Sequence, residues 1–121
     1  MYSRRVLFTI DQSSGENLAD QLAGQIRTAI ARGDLESGAR LPSARDLAES
    51  LGINIHTVLR AFQDVRDEGL VDLRRGRGAV VTEAANDIRE LRDAIHQAAA
   101  VSRTLDVRPA TAIAMLKEAL K

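Results

Sequence analysis

Hydrophobic side chains recur every three or four residues in the first third of the chain, which is the spacing of one face of an α-helix. The repeat falls on four aliphatic residues of the segment 16 to 32, namely Leu18, Leu22, Ile26 and Ile30. Gly33 ends the pattern, and Ser14 precedes it as the expected N-cap. The pattern predicts a first helix with one face in the core.

Two shorter helices are expected next. Ser43 and Asp46 have the spacing of a capping box, which predicts a second helix over residues 44 to 51. After a tight turn, Asn54 is a good N-cap for a third helix that we expect to end at about Glu68. Two short helices joined by a glycine turn are typical of a helix-turn-helix. The apolar face of the third helix consists of Val58, Ala61, Phe62 and Val65.

A β-hairpin is predicted after the third helix. Residues 70 to 73 alternate apolar and polar, residues 79 to 82 are β-prone, and the sequence RRGRG between them supplies glycines for the turn. The arginines of this turn make it the basic wing of a winged helix. Two other short extended segments are expected, an arm or edge strand over residues 6 to 10 and a short strand over residues 39 to 41.

The composition changes at about Glu83, where the chain becomes rich in alanine and helical in pattern. We therefore expect a winged helix-turn-helix domain over residues 1 to 82 and a helical dimerisation segment over residues 83 to 121. Pro109 is placed at the start of the last helix. The predicted dimerisation residues follow the apolar stripes of the two helices: Ile88, Leu91, Ile95, Ala98, Leu105, Ile113, Leu116 and Leu120.

Two helices of this length cannot bury their apolar stripes alone, so a second subunit is expected to cover them. The fold class is therefore mainly α with a small β wing, followed by a two-helix dimerisation segment. The chain ends directly after an amphipathic helix, and on that ground we expect it not to be a fragment of a larger regulator.

The composition limits the kinds of function that the protein can have. Seventeen basic residues balance seventeen acidic ones, so that any site for a polyanion must be a local patch. The chain has no Cys, no apolar run of the roughly 18 residues that a membrane span needs, and no stretch long enough for a signal peptide. We expect a cytoplasmic protein without membrane association, metal, cofactor or enzymatic activity.

The third helix carries the most informative surface. His56, Arg60 and Gln63 point away from its apolar face, with Asn54 and Thr57 at the flanks, and no Asp or Glu occurs in residues 50 to 63. A helix that enters the major groove of DNA needs donors at this place and no negative charge near the phosphates. An ordinary solvated helix face is an equal interpretation of this helix alone. The arginine-rich hairpin favours DNA binding.

The sequence resembles the winged-helix DNA-binding domain of GntR-type bacterial transcription regulators. The resemblance depends on the elements GARLPSARDLAESLG and TVLRAFQDVRDEGLV at their present spacing, and it is strong as far as Val81. The two helices after the wing make the length similar to that of the YtrA-like branch, which lacks a large effector domain.

The resemblance implies roles for individual residues. Arg45 contacts the DNA backbone, and Arg40 contacts phosphate or holds its loop. Ser43, in the same L-P-S element, is also a candidate DNA-binding residue. Asn54, His56 and Thr57 open the recognition helix. Arg60 is a further candidate from its place on the outer face of that helix, where it reads bases or contacts phosphate. The wing and its tip are assigned to Arg75, Gly76, Arg77 and Gly78.

This sequence departs from the resemblance at two positions. Many GntR-type proteins carry Arg where Ile55 and Leu59 stand here, so arginine base contacts at these positions are not carried over. The expected function is a homodimeric repressor that reads an inverted-repeat operator in double-stranded DNA. A protein-interaction adaptor is the alternative. The sequence does not identify a small-molecule effector.

Overall fold

The structure, a computed structural model, describes residues 8 to 75 and 78 to 121. It confirms the expected fold class, mainly α with a small β wing. Its elements in chain order are α1 (Leu18–Arg32), α2 (Ala44–Leu51), α3 (Ile55–Asp67), β1 (Val71–Arg74), β2 (Gly78–Val81), α4 (Ala84–Thr104) and α5 (Pro109–Ala119).

Helix α1 begins three residues later than Ser14 would place it. The side chain of Asn17 accepts hydrogen bonds from the backbone N–H groups of Ala19 and Asp20, at 2.8 and 3.4 Å. The Ser14 hydroxyl accepts only from Glu16 N, within the preceding turn. The prediction of Ser14 as N-cap is therefore wrong, because Asn17 lies directly before the first helical residue and reaches two amides that would otherwise have no partner.

The ends of α2 and α3 agree with the predictions. Ser43 Oγ accepts from Asp46 N at 3.0 Å at the start of α2, and Asn54 Oδ1 accepts from His56 N at 2.8 Å at the start of α3. Helix α3 ends in a Schellman motif, in which Leu70 N donates to Val65 O at 3.0 Å. The caps therefore define both helices of the helix-turn-helix from local sequence.

The wing is an antiparallel pair of strands whose register runs from Val71 opposite Val81 to Arg74 opposite Gly78. The predicted strand over residues 39 to 41 runs along the other side of β2 and forms one isolated bridge, Arg40 with Val80. The wing is thereby joined to the loop between α1 and α2. The tip residues Gly76 and Arg77 lie outside the described residues.

The predicted arm or edge strand over residues 6 to 10 is described only from residue 8 onward. In that part the backbone is not in a strand; two glutamine side chains of α1 bind it instead. Gln25 bonds to both the N–H and the C=O of Thr9, and Gln21 does the same for Asp11. Side-chain amides one helical turn apart thus replace the backbone of a partner strand.

The chain divides into two compact units, Met1–Arg89 and Glu90–Lys121, with the division inside α4. In unit 1, α1, α2, α3 and the wing enclose one apolar core, to which Ala85 and Ile88 from the start of α4 also belong. The largest fully buried side chains are Leu22, Ile26, Ile30, Leu35, Val58, Val65, Val71 and Val81. In unit 2, no side chain is buried.

Candidate nucleic-acid interface

Helix α3 presents a polar face to solvent because its apolar face is fully used by the core. Val58, Ala61, Phe62 and Val65 are at most 3% exposed. His56, Arg60 and Gln63 are exposed, as is Asn54 at the cap, and Thr57 is half-buried at the flank. The structure therefore places the predicted polar residues together on one accessible surface.

The position of α3 is fixed at both ends. At its start, Gly52 has a φ of 67° and closes the turn after α2, and the Asn54 cap follows two residues later. At its end, the Glu68 carboxylate accepts hydrogen bonds from Arg27 of α1, with Nε to Oε2 at 2.7 Å. The bond to Glu68 also raises the pKa of the Arg27 guanidinium. α3 is thus held by a capped turn at its start and by a hydrogen-bonded ion pair to α1 at its end.

A groove lies between the start of α1 and the start of α3. Its volume is about 430 Å³. Asn17, Leu18 and Ala19 line it on the α1 side, and the α3 side is lined by Asn54, His56, Thr57 and Arg60. The contribution of α1 was missed from the sequence, because it depends on how α1 packs against α3. The N-cap pattern at Asn17 is the only local signal that could have indicated it.

Other predicted DNA-binding residues are exposed on neighbouring elements. Arg45 on α2, Arg40 beside the wing and Arg75 directly after β1 are all exposed, as is Ser43, whose hydroxyl caps α2. Gly78 is exposed with a φ of 68°, a backbone conformation that side chains other than glycine rarely adopt. Within the described part of the wing the candidate residues are therefore accessible.

The remaining arginine of the described wing is paired. Arg74 contacts Asp72 on the same strand, with Nη2 to Oδ2 at 3.3 Å. This ion pair offsets the charge of Arg74. The predicted roles of Gly76 and Arg77 concern residues outside the described ranges.

Two exposed apolar residues lie on α3. Ile55 is 37% exposed and Leu59 is 38% exposed, although every other large apolar side chain of this helix is buried. They are four residues apart, so they lie next to each other on the helix surface. The exposed surface of α3 therefore has an apolar part as well as a polar one.

The predicted dimerisation residues fall into two groups. Ile88 is half-buried and packs against the core of unit 1. The others, in unit 2, are exposed in the single chain: Leu91, Ile95, Ala98, Leu105, Ile113, Leu116 and Leu120. Leu105 and Leu120 are 68% and 76% exposed. Apart from Ile88, the predicted dimerisation residues are therefore uncovered within one chain, and their role stays a prediction.

The described residues were also compared in type and spacing with what a membrane span or a metal site requires, and they match neither. Helices in residues 8 to 75 and 78 to 121 are all too short or too polar to cross a membrane. In the same residues, no three His, Asp or Glu side chains are grouped so that they could hold a metal ion.

Three helices followed by a hairpin, with a capped α3 exposed on the surface, define a winged helix-turn-helix protein. A match to the gntR family of bacterial regulatory proteins covers residues 18–81, more than half of the chain. The chain therefore belongs to the gntR family, and within this family of helix-turn-helix transcriptional regulators it is YtrA-like.

Three relatives illustrate the similarity. The chain is 36% identical over 73 residues to the uncharacterized HTH-type transcriptional regulator YhcF of Bacillus subtilis, covering 60% of each protein. It is 32% identical over 79 residues to the HTH-type transcriptional repressor YtrA of B. subtilis, covering 65% of this chain and 61% of YtrA. The structure of YtrA from Sulfolobus acidocaldarius is 39% identical, with a TM-score of 0.57, and the match covers 75% of this chain and 95% of that one.

The match thus spans about three fifths of the length of YhcF and of B. subtilis YtrA.

Proposed function

We propose that the protein is a homodimeric, sequence-specific DNA-binding repressor of transcription. Helix α3 enters the major groove, and the wing contacts the adjacent backbone or minor groove. The two copies read an inverted repeat whose half-sites are separated by about one helical turn or a multiple of it. Repression follows from occlusion of the promoter.

The observation that carries the proposal is the charge distribution around α3. Its exposed polar residues lie in a segment without an acidic residue from residue 50 to residue 63, and α2, the wing and the loop between α1 and α2 each carry an exposed arginine. DNA phosphates attract such arginines, and base edges accept hydrogen bonds from such donors. A chain with no net charge therefore still offers a local site for a polyanion.

The groove beside α1 supports a division of roles on α3. Arg60 lines this groove together with the N-cap residues Asn17 and Asn54. Helix N-termini favour anions, so we expect the DNA backbone to pass here and Arg60 to contact phosphate. His56, which also lines the groove but lies at the middle of the outer face, and Gln63, which does not line the groove, are then the polar base readers.

The uncovered stripes of unit 2 support the homodimer. A single chain leaves the apolar side chains of α4 and α5 in water, and a second copy offers the same stripes as a complementary surface. A symmetric dimer also accounts for an inverted-repeat operator, because the symmetry of the protein is matched by that of the site. The name of the B. subtilis relative YtrA, a transcriptional repressor, supports the sign of regulation.

Fluorescence anisotropy with labelled DNA tests the proposal. A duplex from the gene's own upstream region is compared with a scrambled duplex at two salt concentrations. We expect salt-dependent binding with a specificity ratio of roughly 10³ or more. Equal, weak binding of both duplexes, together with stable capture of a protein partner, would support the adaptor alternative instead.

Variants assign the roles of α3 and the wing. His56→Ala should change the preference among duplexes, whereas Arg60→Ala should weaken binding to all of them. Arg77→Ala should weaken binding to all sequences and lower the slope of the salt dependence by about one unit. Equal losses on operator and scrambled DNA for His56→Ala would exclude it as a base reader.

A further inference from the structure

The exposed apolar pair on α3 is not explained by phosphate contacts or by hydrogen bonds to bases. We propose that Ile55 and Leu59 bind the C5 methyl groups of thymines in the major groove and thereby determine part of the operator sequence. The proposal rests on the proposed function, since it requires that α3 binds DNA.

The position of the pair on the helix separates it from the groove. With about 100° per residue, Ile55 and Leu59 lie within about 40° of each other, on one side of the line through His56 and Gln63. Thr57 lies on the other side, toward the groove beside α1. The outer surface of α3 therefore has a polar edge near α1 and an apolar edge opposite to it.

The charge around Ile55 and Leu59 indicates which kind of partner binds this surface. Ile55 and Leu59 stand within the segment that lacks acidic residues, and Arg60 on the same helix is exposed, whereas the charge of Arg66 is offset by Asp67, with Nη2 to Oδ1 at 3.2 Å. Such a surface attracts a polyanion, and the thymine methyl is the apolar group that a DNA base presents in the major groove. The two arginines and two aspartates of α3 cancel, so charge gives no reason for a second copy of this helix to bind here. Two side chains are also far fewer than the roughly 20 residues a side of a stable protein interface.

The spacing of the pair predicts the spacing of the thymines. Four residues of helix advance by about 6 Å, and base pairs are stacked at about 3.4 Å. Ile55 and Leu59 therefore meet methyl groups on base pairs within about two steps of each other. Each half-site should contain one or two thymines at which the methyl group itself matters.

Replacing thymine by deoxyuridine removes only this methyl group and provides the test. The full chain first selects its preferred duplex from a random pool. Each thymine is then replaced singly by deoxyuridine, and affinity is measured by anisotropy. Burial of one methyl group corresponds to about a fourfold change in affinity. We expect a three- to fivefold loss for the unmodified protein at one or two positions in each half-site, consistent with that scale.

Protein variants connect these positions to the two side chains. With Leu59→Ala the deoxyuridine effect should vanish at one position, and with Ile55→Ala at the other. Leu59→Met keeps an apolar side chain and should keep the effect. Gln63→Ala is the matched control on the same helix, because it changes affinity but leaves the deoxyuridine effect intact. Circular dichroism checks that each variant is folded.

The outcomes separate this inference from the proposed function. A selected duplex that binds equally well with deoxyuridine at every position would overturn methyl recognition and leave specific DNA binding standing. Methyl recognition by Ile55 and Leu59 would also be overturned if the double variant Ile55→Ala, Leu59→Ala lost as much affinity on deoxyuridine substitution as the unmodified protein does. A change in oligomeric state in that double variant would assign the pair to a protein contact and overturn the inference. Failure to select any duplex would contradict both proposals.

Discussion

The two compact units of the chain differ in what one copy can bury. In unit 1, the core side chains of α1, α3 and the wing are fully buried, and caps and turns close each element. In unit 2, the long apolar side chains of α4 and α5 are about half or more exposed. Similar helical periodicities in the sequence therefore have two outcomes: in unit 1 they build a buried core, and in unit 2 they leave an apolar surface uncovered, for which we propose a second copy as the partner.

The largest effect is expected from a cavity in the core of unit 1. Ile26 is fully buried on α1, so Ile26→Ala should lower the free energy of unfolding by about 2–5 kcal/mol. Ile113→Ala in α5 is the matched control, since this side chain is 54% exposed. Urea unfolding followed by circular dichroism measures both. Ile113→Ala should lower the free energy of unfolding only at protein concentrations at which the dimer forms. An Ile26→Ala loss below about 0.5 kcal/mol would contradict the buried position.

The next effect concerns the apolar stripes of unit 2. Ile95→Lys combined with Leu116→Lys places charges where apolar contacts are expected, and should raise the dimer dissociation constant by about 30-fold or more, or about 2 kcal/mol. Sedimentation equilibrium measures the change. Glu118→Lys alters the net charge by the same two units on the exposed end of α5 and should have little effect. An unchanged oligomeric state in the double variant would mean that these stripes are not the interface.

A smaller effect is expected at the turn between α2 and α3. Gly52 has a φ of 67°, and a Cβ there would meet no atom within 4 Å. Gly52→Ala should therefore cost about 1–2 kcal/mol through backbone conformation alone. Thermal unfolding measures the loss, which should be the same in the dimer-deficient Ile95→Lys, Leu116→Lys background. A dependence on that background would show that the two units are not energetically separate.

The smallest effect is a gain in stability. Gly24 lies within α1, its φ is not positive, and a Cβ there would meet no atom within 4 Å. Gly24→Ala should stabilise unit 1 by about 0.5–1 kcal/mol because alanine loses less backbone entropy on folding. The same unfolding measurements detect it. A loss of stability would indicate a contact of Gly24 that the single chain does not contain.

Local signals account for most of the fold that the sequence predicts. Helix α2 has the predicted bounds of 44 to 51, because Ser43 and Gly52 act on their own neighbours. Features that depend on contacts between residues distant in sequence were harder to predict. Ser14 is a plausible cap by type, yet Asn17 is the residue next to the helix. The hydrogen bonds of the arm with Gln21 and Gln25 leave no periodic pattern in the sequence, because they form only when the arm is folded along α1.

The candidate site shows the same difference between features set by local sequence and features set by contacts between distant residues. The wheel of α3 predicted which side chains face solvent, because an amphipathic helix has one orientation against a core. The groove beside Asn17 required the packing of α1 against α3, which the wheel does not contain. Ile88 matched the apolar stripe of α4, and the structure places it against the core of unit 1. A heptad-like spacing identifies an apolar stripe but not its partner.

In the proposed dimer, unit 1 of each copy binds one half-site and unit 2 joins the two copies. The direct test is the affinity of the full chain for its selected inverted repeat, compared with the same duplex in which one half-site is scrambled. We predict binding to the complete repeat about 10²- to 10⁴-fold tighter, as expected when the second contact becomes intramolecular. In the Ile95→Lys, Leu116→Lys variant this advantage should largely disappear. Equal affinity of the unmodified protein for both duplexes would contradict the claim.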